Sequence, residues 1–328
     1  MNTPVYDHSP CNVAFILTPG FAFTSFALTL EALTVANEQS NGQRYEYHLY
    51  SGDPDKSKRN VTSSNHVPIE VEGHFSECDT ASHVIVCAHK GASTYDDSWL
   101  LSKLRSLRKS GTQIAALSGG SFILARAGLL DGQTCTLFRD QLPLFKELYP
   151  HIGIQENIYT VNKQIYTCAG GMTALDMMLY IIGKDHGPEL AKDVANQFCY
   201  DSIRSPEDMQ NTRRYLELRM LSPSLGAAIE IMESNIEHPY SIQQVAEKVG
   251  TTPRTLEHVF KTHKGTTPVN YYLQLRIDTA KKMIEETRLP LNTVAQATGF
   301  TSQSYFTKRF RERYKIAPGQ LRAILASQ

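Results

Sequence analysis

Apolar side chains in the C-terminal third of the chain follow a helical pattern that occurs twice. Positions spaced i, i+3, i+4 and i+7 form one face of a short helix, and a glycine follows them. The first occurrence consists of Ile242, Val245, Ala246, Val249 and Gly250. The second lies forty-nine residues later and consists of Leu291, Val294, Ala295, Thr298 and Gly299. The repeat predicts two equivalent helices, each ended by a glycine.

A second helix is predicted after each glycine. Both copies continue with a short polar corner whose hydroxyls suit a helix N-cap. Apolar pairs at i, i+4 follow, Leu256 with Phe260 and Phe306 with Phe310. Between the copies, Pro268 opens a long helix that can act as a rigid spacer. Two helix-turn-helix motifs held on this spacer can enter major-groove segments about 34 Å apart on one DNA duplex.

The outward faces of these second helices carry side chains that suit DNA. Arg and Lys can donate to guanine, Gln to adenine, and Glu can accept from cytosine. The predicted DNA-binding residues are Arg254, Glu257, His258, Lys261, Gln303, Ser304, Thr307, Lys308 and Arg311. Lys261 and Arg311 are predicted to hold phosphates, and the other seven residues to read bases. A helical bundle with a solvated charged face is the alternative, and the duplication disfavours it.

The first two thirds of the chain alternate short apolar runs with helical patterns. The predicted strands are 13–17, 84–88 and 114–117, and the predicted helices are 26–37, 99–109, 120–127, 174–182 and 190–203. Such alternation is typical of an α/β fold with a parallel sheet. Ligands of these sheets bind beyond the carboxyl ends of the strands.

Charge separates the two parts of the chain. Residues 225–328 contain 14 Lys and Arg against 9 Asp and Glu, a net charge of +5, so the other residues carry −5. A basic end attracts phosphates. With 328 residues the chain exceeds one typical core. We predict domains at 1–204 and 225–328, joined by a linker at 205–224.

Composition also limits location and cofactors. No apolar run reaches the roughly eighteen residues of a membrane span, and the N-terminus lacks the features of a signal peptide. A cytoplasmic protein without a membrane partner is expected, associated with the nucleoid when bound to DNA. The six cysteines have no CxxC spacing, which favours buried reduced thiols, with redox sensing as the alternative. No metal or other cofactor is expected.

Two glycine corners mark a candidate ligand site. Ser118, Gly119 and Gly120 connect a predicted strand to a helix, the layout of a nucleophile elbow. Taken alone, this corner suggests a serine hydrolase. An elbow also directs backbone N–H groups and a helix N-terminus toward the cleft, which favours a bound carboxylate. The second corner, Gly170-Gly171, likewise precedes a helix, which contains Asp176.

Both parts of the chain resemble known families. Residues Ser241 to Arg322 resemble the DNA-binding domain of the AraC/XylS family of bacterial regulators, through the segment 295–311 and Pro318. The elbow and the segment 124–132 resemble the DJ-1/PfpI superfamily, as fused to AraC-type readers in GlxA-like regulators. The resemblance implies a flavodoxin-like parallel-sheet sensor domain, followed by an all-α domain with two helix-turn-helix motifs. Glu31 fits an early acidic position of that superfamily.

The departures from the superfamily disfavour an enzyme. Ser118 stands where catalytic relatives have cysteine, and Phe138 where they have the partner histidine. A serine without a base is a poor nucleophile. His83 or His89 could substitute as the base, but nothing in the sequence positions either of them. We therefore expect a non-catalytic sensor.

The corner around Gly170-Gly171 resembles a segment of the regulators of arginine, glycine-betaine and carnitine catabolism, which respond to nitrogenous inducers. Asp176 and Glu31 could then pair with a cationic ligand beside the aromatic Phe138, whereas Arg139 would repel a quaternary ammonium and clamp a carboxylate. A tight turn at Gly170-Gly171, a cap or salt bridge for Asp176 and a surface position for Arg139 are the alternatives. The predicted ligand-binding residues are Glu31, Ser118, Gly119, Phe138, Arg139, Gly170, Gly171 and Asp176.

The sequence thus predicts a transcription factor that responds to a small molecule. Its expected partners are promoter DNA, an amino acid, quaternary amine or organic acid as effector, RNA polymerase, and a second copy in a homodimer. Activation of a catabolic operon is the expected output. Two rivals are an amidohydrolase with Ser118 as nucleophile and a DNA-binding protein that responds to no ligand.

Overall fold

The structure is a computed structural model that describes residues 10–40, 42–210 and 212–326. It divides into two compact units, Met1–Gln210 and Asn211–Gln328. The first unit is α/β and the second is helical, which confirms the predicted fold class.

The first unit is built from short strands and six described α-helices. The strands are β1 (Cys11–Leu17), β2 (Tyr45–Ser51), β3 (Asn60–Thr62), β4 (Pro68–Glu70), β5 (Gly73–His74), β6 (His83–Ala88), β7 (Gln113–Ser118), β8 (Thr134–Cys135), β9 (Gly153–Ile154), β10 (Tyr159–Asn162) and β11 (Ile165–Cys168). The helices are α1 (Phe23–Glu38), α2 (Ser98–Lys109), α3 (Gly120–Arg126), α4 (Leu142–Leu148), α5 (Thr173–His186) and α6 (Pro188–Gln197).

Seven of these strands form the central sheet, in the order β10-β11-β7-β6-β1-β2-β5. All neighbours pair in parallel except β10 and β11, which are antiparallel. The central strands are buried almost throughout, as expected of a sheet covered on both faces. Because β6 and β7 end side by side, with Ala88 opposite Ser118, the loops after them meet at one edge of the sheet.

The predicted helix 190–203 is shorter than expected. It ends at Gln197, because Cys199 takes a left-handed backbone conformation with φ 50° and the amide of Tyr200 returns to the carbonyl of Ala195. The chain beyond it folds back on α5, where Arg204 binds Asp176.

The second unit contains eight described helices. They are α7 (Thr212–Leu221), α8 (Pro223–Ser234), α9 (Ile242–Lys248), α10 (Pro253–Lys264), α11 (Pro268–Glu286), α12 (Leu291–Ala297), α13 (Gln303–Tyr314) and α14 (Pro318–Ala326). One apolar core joins α8, α9, α10 and α11 through Leu225, Ile229, Val245, Leu256, Phe260 and Tyr272. A second set of buried side chains, Val294, Ala295, Phe306 and Phe310, lies on α12 and α13.

The segment 205–224, predicted as a linker, is structured on both sides of the boundary. Gln210, the last residue of the first unit, is 8% exposed. Its side-chain amide donates to Thr136 Oγ1, the Leu137 carbonyl and the Asn157 carbonyl, and its Oε1 accepts from the Arg139 amide at 3.0 Å. Beyond the boundary, residues 212–221 form α7. Within this segment, the Gln210 side chain therefore satisfies buried backbone groups of the first unit, and the linker as a whole stays a prediction. Asn211, within the segment, lies outside the described residues.

The helix lengths and the cysteines of the described residues bear on two expectations from composition. None of their helices is long and apolar enough to cross a membrane. None of the six cysteines forms a disulfide; four are buried, Cys11 is partly buried and Cys199 is exposed.

Candidate DNA interface and sensor site

The two helix-turn-helix motifs are α9 with α10 and α12 with α13. The first helices begin forty-nine residues apart, at Ile242 and Leu291, and the second helices fifty apart, at Pro253 and Gln303. Gly250 and Gly299 lie in the turns with φ 69° and 74°, which a side chain would strain. Thr252 and Ser302 cap the second helices by accepting from the amides of Thr255 and Tyr305, respectively. The predicted repeat is therefore present in three dimensions.

On α10 the predicted DNA-binding residues share one exposed face. Arg254, Glu257, His258 and Lys261 are all exposed, whereas Leu256 and Phe260 are fully buried. The spacing of the four exposed residues keeps them on adjacent turns of the helix.

On α13 the corresponding residues also share one face of the helix. Gln303, Ser304, Thr307, Lys308 and Arg311 lie there together with Glu312, which the sequence pattern did not single out. All are exposed except Thr307, which is partly buried. Tyr305 was also missed. Its ring is 49% exposed near the start of α13 and packs on Phe300 at 6.1 Å between ring centroids.

Two arginines attach α11 and the second motif to each other. Arg276 donates from Nε to the Thr298 carbonyl at 2.8 Å and from its NH2 group to the Gly299 carbonyl at 2.6 Å. Its guanidinium lies 4.2 Å from the centre of the Phe300 ring, and burial lowers its pKa. Arg313 on α13 binds both carboxylate oxygens of Asp278 on α11, at 2.6 and 2.7 Å. Such bidentate pairs fix relative orientation.

The elbow of the first unit has the geometry that its sequence predicts. Ser118 ends β7 with φ 54°, and α3 starts two residues later. A Cβ on Gly119 would lie 2.8 Å from the Ala92 Cβ, and one on Gly120 would lie 2.7 Å from the Val86 carbonyl oxygen. Both glycines are therefore required by close packing around the strained serine.

His89 is the histidine that the structure places beside Ser118. Its Nδ1 lies 3.2 Å from Ser118 Oγ, and burial lowers the pKa of His89, which favours the neutral ring. Among the described residues, no hydrogen bond joins His89 to a carboxylate. The Gly119 amide, a candidate oxyanion donor, already donates to the Ala88 carbonyl at 3.0 Å. The pair thus lacks two components of a serine hydrolase.

The second glycine corner adjoins the elbow. A Cβ on Gly170 would lie 2.9 Å from Ser118 Cβ, and Gly170 has φ 97°. The Gly171 amide donates to Ser25 Oγ at 2.7 Å, and Ser25 is fully buried. Ser118, Gly119, Gly170 and Gly171 are therefore brought together. His89, which the sequence named only as a possible base, joins them, as does Ser25, which the sequence did not reveal. We call these six residues the elbow cluster.

Phe138 and Arg139 follow a short segment that is hydrogen-bonded to α3. Ser121 Oγ on α3 donates to the Thr136 carbonyl at 2.8 Å. Phe138 is 45% exposed, whereas Arg139 is 8% exposed and has a guanidinium nitrogen 3.9 Å from a Glu156 carboxylate oxygen. The surface position considered for Arg139 is thus wrong.

Two predicted ligand residues do not belong to the elbow cluster. Asp176 is fully buried and accepts from Tyr200 Oη, the Arg204 amide and the Arg204 guanidinium, the last at 2.6 Å. The hydrogen-bonding capacity of its carboxylate is therefore met by protein groups. The contact with Arg204 is the salt bridge that was considered as the alternative role of Asp176. Glu31 is exposed on α1, and six residues of helix, about 9 Å, separate it from Ser25. Their roles as ligand contacts remain predictions.

Comparisons with known proteins find a family match for each of the two units. A family model described as a helix-turn-helix domain matches residues 245–324, and the DJ-1/PfpI family matches residues 12–184. The HTH-type transcriptional regulator GbdR of Pseudomonas aeruginosa is 30% identical over 315 residues, which cover 96% of this chain and 85% of that protein. The regulator CdhR of the same species is 33% identical over 95% of this chain and 91% of its own.

Solved structures show the fold of the first unit. An AraC family transcriptional regulator from Pseudomonas putida matches with a TM-score of 0.51 and 24% identity, over 58% of this chain and 100% of that chain. DJ-1beta of Drosophila melanogaster matches with a TM-score of 0.52 and 20% identity, over 59% of this chain and 100% of its own. The two family models and the relatives GbdR and CdhR show that the chain belongs to the HTH-type transcriptional regulators in which a DJ-1/PfpI domain precedes an AraC-type DNA-binding domain.

Proposed function

We propose that this DNA-binding regulator activates a catabolic operon when its first unit binds a small nitrogenous or carboxylate metabolite. The elbow cluster is the proposed binding site. Ser118 and His89 offer a hydroxyl and an imidazole at the edge of the sheet, and Phe138 offers an exposed ring. Arg139 remains a proposed carboxylate partner, its charge shared with Glu156. In this proposal the protein acts as a homodimer that recruits RNA polymerase.

The observation that carries the proposal is a hydrogen-bonded connection from the elbow to the end of the first unit. Ser121, three residues after Ser118, donates to the Thr136 carbonyl. Thr136 Oγ1 in turn accepts from the Gln210 side chain at 3.1 Å. A ligand that shifts the start of α3 would therefore also shift the residue at which the chain leaves the unit. Coupling between the two sites would follow if ligand binding favoured one position of this connection over another.

A metabolite screen tests this proposal in two steps. Amino acids, quaternary amines and organic acids are screened for thermal stabilisation of the full chain. Each hit is then tested for its effect on affinity for a duplex selected from a random library. Gln210→Leu should keep the thermal shift and lose the effect on DNA, whereas the exposed control Gln155→Leu should keep both. The proposal fails if no compound shifts the melting temperature, or if Gln210→Leu leaves the DNA response intact.

We also propose roles for the nine predicted DNA-binding residues of α10 and α13. Arg254, Glu257, His258, Gln303, Ser304, Thr307 and Lys308 read base edges, and Lys261 and Arg311 hold phosphates. Replacing Gln303 with Ala should cost about 1–3 kcal/mol of binding free energy on one base pair and relax specificity there. Lys261→Ala should weaken all duplexes alike and reduce the salt dependence of binding by about one counterion. Arg288→Ala, at an exposed position between the motifs, is the control.

A second candidate function is hydrolysis by Ser118, favoured by the 3.2 Å approach of His89 Nδ1. The occupied Gly119 amide and the absence of a carboxylate bonded to His89 among the described residues oppose it. Covalent labelling with a fluorophosphonate probe separates the two functions. A hydrolase would be labelled at Ser118, and His89→Gln would abolish the labelling. A sensor would remain unlabelled and still bind its effector.

A further inference from the structure

A cluster of metal-ligating side chains lies at the other end of the sheet from the elbow. Cys11 begins β1, His83 begins β6, and Asp185 lies in the last turn of α5. Their donor atoms, one sulfur, one nitrogen and one oxygen, all lie within 4.8 Å of one another. The elbow cluster follows the carboxyl ends of β6 and β7, so the two sites share no residue.

The sheet register explains why these side chains meet. Val13 of β1 pairs with His83, and Cys11 precedes Val13 by two residues, so Cys11 and His83 lie on the same face of the sheet. α5 packs against that face through residues of the same apolar core. Its C-terminal turn therefore places Asp185 over the starts of both strands. Chain segments far apart in sequence are held together here by the fold itself.

The surroundings of the His83 ring independently indicate a bound ligand. It is 5% exposed, and within the described part of the chain neither of its ring nitrogens has a hydrogen-bond partner. Its Nε2 nevertheless points at the cluster, 3.2 Å from Asp185 Oδ2. A buried imidazole without a hydrogen bond is costly, and a metal ion would satisfy the nitrogen.

The neighbours suit a cation. His186 Nε2 lies 4.0 Å from Cys11 Sγ and is a further nitrogen that can ligate a metal ion. The carbonyl end of the 14-residue helix α5 also favours positive charge at this place. Tyr45 Oη donates to Asp185 Oδ2 at 3.3 Å, which orients the carboxylate from outside the cluster.

We propose that Cys11, His83 and Asp185 form a zinc-class transition-metal site. Thiolate, imidazole and carboxylate are together the donor set of Zn²⁺ and its substitute Co²⁺. With metal–ligand bonds of about 2.0–2.3 Å, tetrahedral ligands lie about 3.3–3.8 Å apart, so small rotations of these side chains suffice. The bound ion would join the start of β1 to the end of α5.

Metal titration of the full chain tests the site. After treatment with a chelator, the protein is titrated with Zn²⁺ against a chromophoric competitor. We expect one Zn²⁺ per chain and a higher melting temperature for the first unit. Cys11→Ser should weaken binding at least tenfold, as should His83→Gln. Cys199→Ser, at an exposed cysteine outside the cluster, should bind as the unchanged protein does. Fluorescence of Trp99, in the same unit, confirms that each variant is folded.

Co²⁺ gives a readout that does not depend on affinity. A thiolate-to-cobalt charge-transfer band should appear in the unchanged protein and in Cys199→Ser, and be absent from Cys11→Ser. The site is refuted if no ion binds stoichiometrically, if Cys11→Ser binds Zn²⁺ as tightly as the unchanged protein, or if the band is absent. In that case His83 and Asp185 form a simple ion pair.

Discussion

The two helix-turn-helix motifs share a sequence pattern but are held in the second unit in different ways. The first motif packs into an apolar core with α8 and α11, through Leu256, Phe260 and Tyr272. The second motif adds polar attachments, Arg276 to the turn carbonyls and Arg313 to Asp278. The internal repeat therefore specifies two similar folds, and residues of the spacer helix outside the repeat decide how firmly each is fixed.

The turn glycines show the same contrast. A Cβ on Gly250 would have no atom of the described residues within 4 Å, whereas one on Gly299 would lie 2.6 Å from the Ile236 carbonyl oxygen and 2.8 Å from Pro239 Cδ. The second turn is thus packed against the segment between α8 and α9, and the first turn faces open space. Four substitutions test whether this asymmetry affects the free energy of unfolding of the second unit.

The largest effect is expected from Gly299→Ala. The new methyl group would combine left-handed backbone strain, about 1–2 kcal/mol, with a collision against backbone atoms. We expect a loss of about 3 kcal/mol or more in the free energy of unfolding of the second unit. Urea unfolding followed by helical circular dichroism measures it. Trp99, the only tryptophan, lies in the first unit, and its fluorescence should report an unchanged transition there.

Arg276→Met should have the next largest effect. It leaves the carbonyls of Thr298 and Gly299 without their guanidinium donors and removes the contact with Phe300. Hydrogen bonds from a charged donor contribute about 1.5–3 kcal/mol, so a loss of about 2 kcal/mol is expected in the same urea experiment. Arg288→Met, at an exposed position, should change little. Equal effects of the two substitutions would show that the attachment contributes nothing.

Gly250→Ala should cost less than Gly299→Ala. Only the backbone strain at φ 69° remains, because the position is open, and a loss of about 1 kcal/mol is expected. Gly265→Ala, at φ 65° and also open, is a matched control with the same expected loss. If Gly250→Ala were as damaging as Gly299→Ala, the comparison between the two turns would be refuted.

Asp278→Asn should have the smallest effect. The pair with Arg313 is well aligned, but both side chains are more than one third exposed, and such pairs contribute about 0.2–1 kcal/mol. We expect a loss of about 0.5 kcal/mol that shrinks as salt is added. An effect that is independent of salt would show that the pair acts through packing instead.

The sequence predicted most of the elements because their apolar periods are strong. The repeat located α9, α10, α12 and α13, and three continuous apolar runs located β1, β6 and β7. β2 was missed although aromatic and polar residues alternate in it, as in Tyr45-Glu46-Tyr47-His48, which is a strand pattern. The short strands β10 and β11 were missed because four residues carry too little periodicity.

The sensor site was only partly predictable because local sequence does not show which distant residues lie close together in the fold. Ser118 and Gly119 form a recognisable corner, so the elbow was found. His89 and Ser25 come from other elements, and only the parallel pairing of β6 with β7 and the packing of α1 bring them to Ser118. Local sequence does not show the salt bridge of Asp176 for the same reason, since its partner Arg204 lies 28 residues further along the chain.

The anchoring of Gln210 determines where the protein can be cut. A fragment that stopped at residue 204, as composition suggests, would leave Thr136 Oγ1 and the Leu137 and Asn157 carbonyls without the amide that now binds them. It would also lose the acceptor of the Arg139 amide. These four hydrogen bonds all lie within the first unit, so a fragment or fusion that keeps them divides the chain after Gln210.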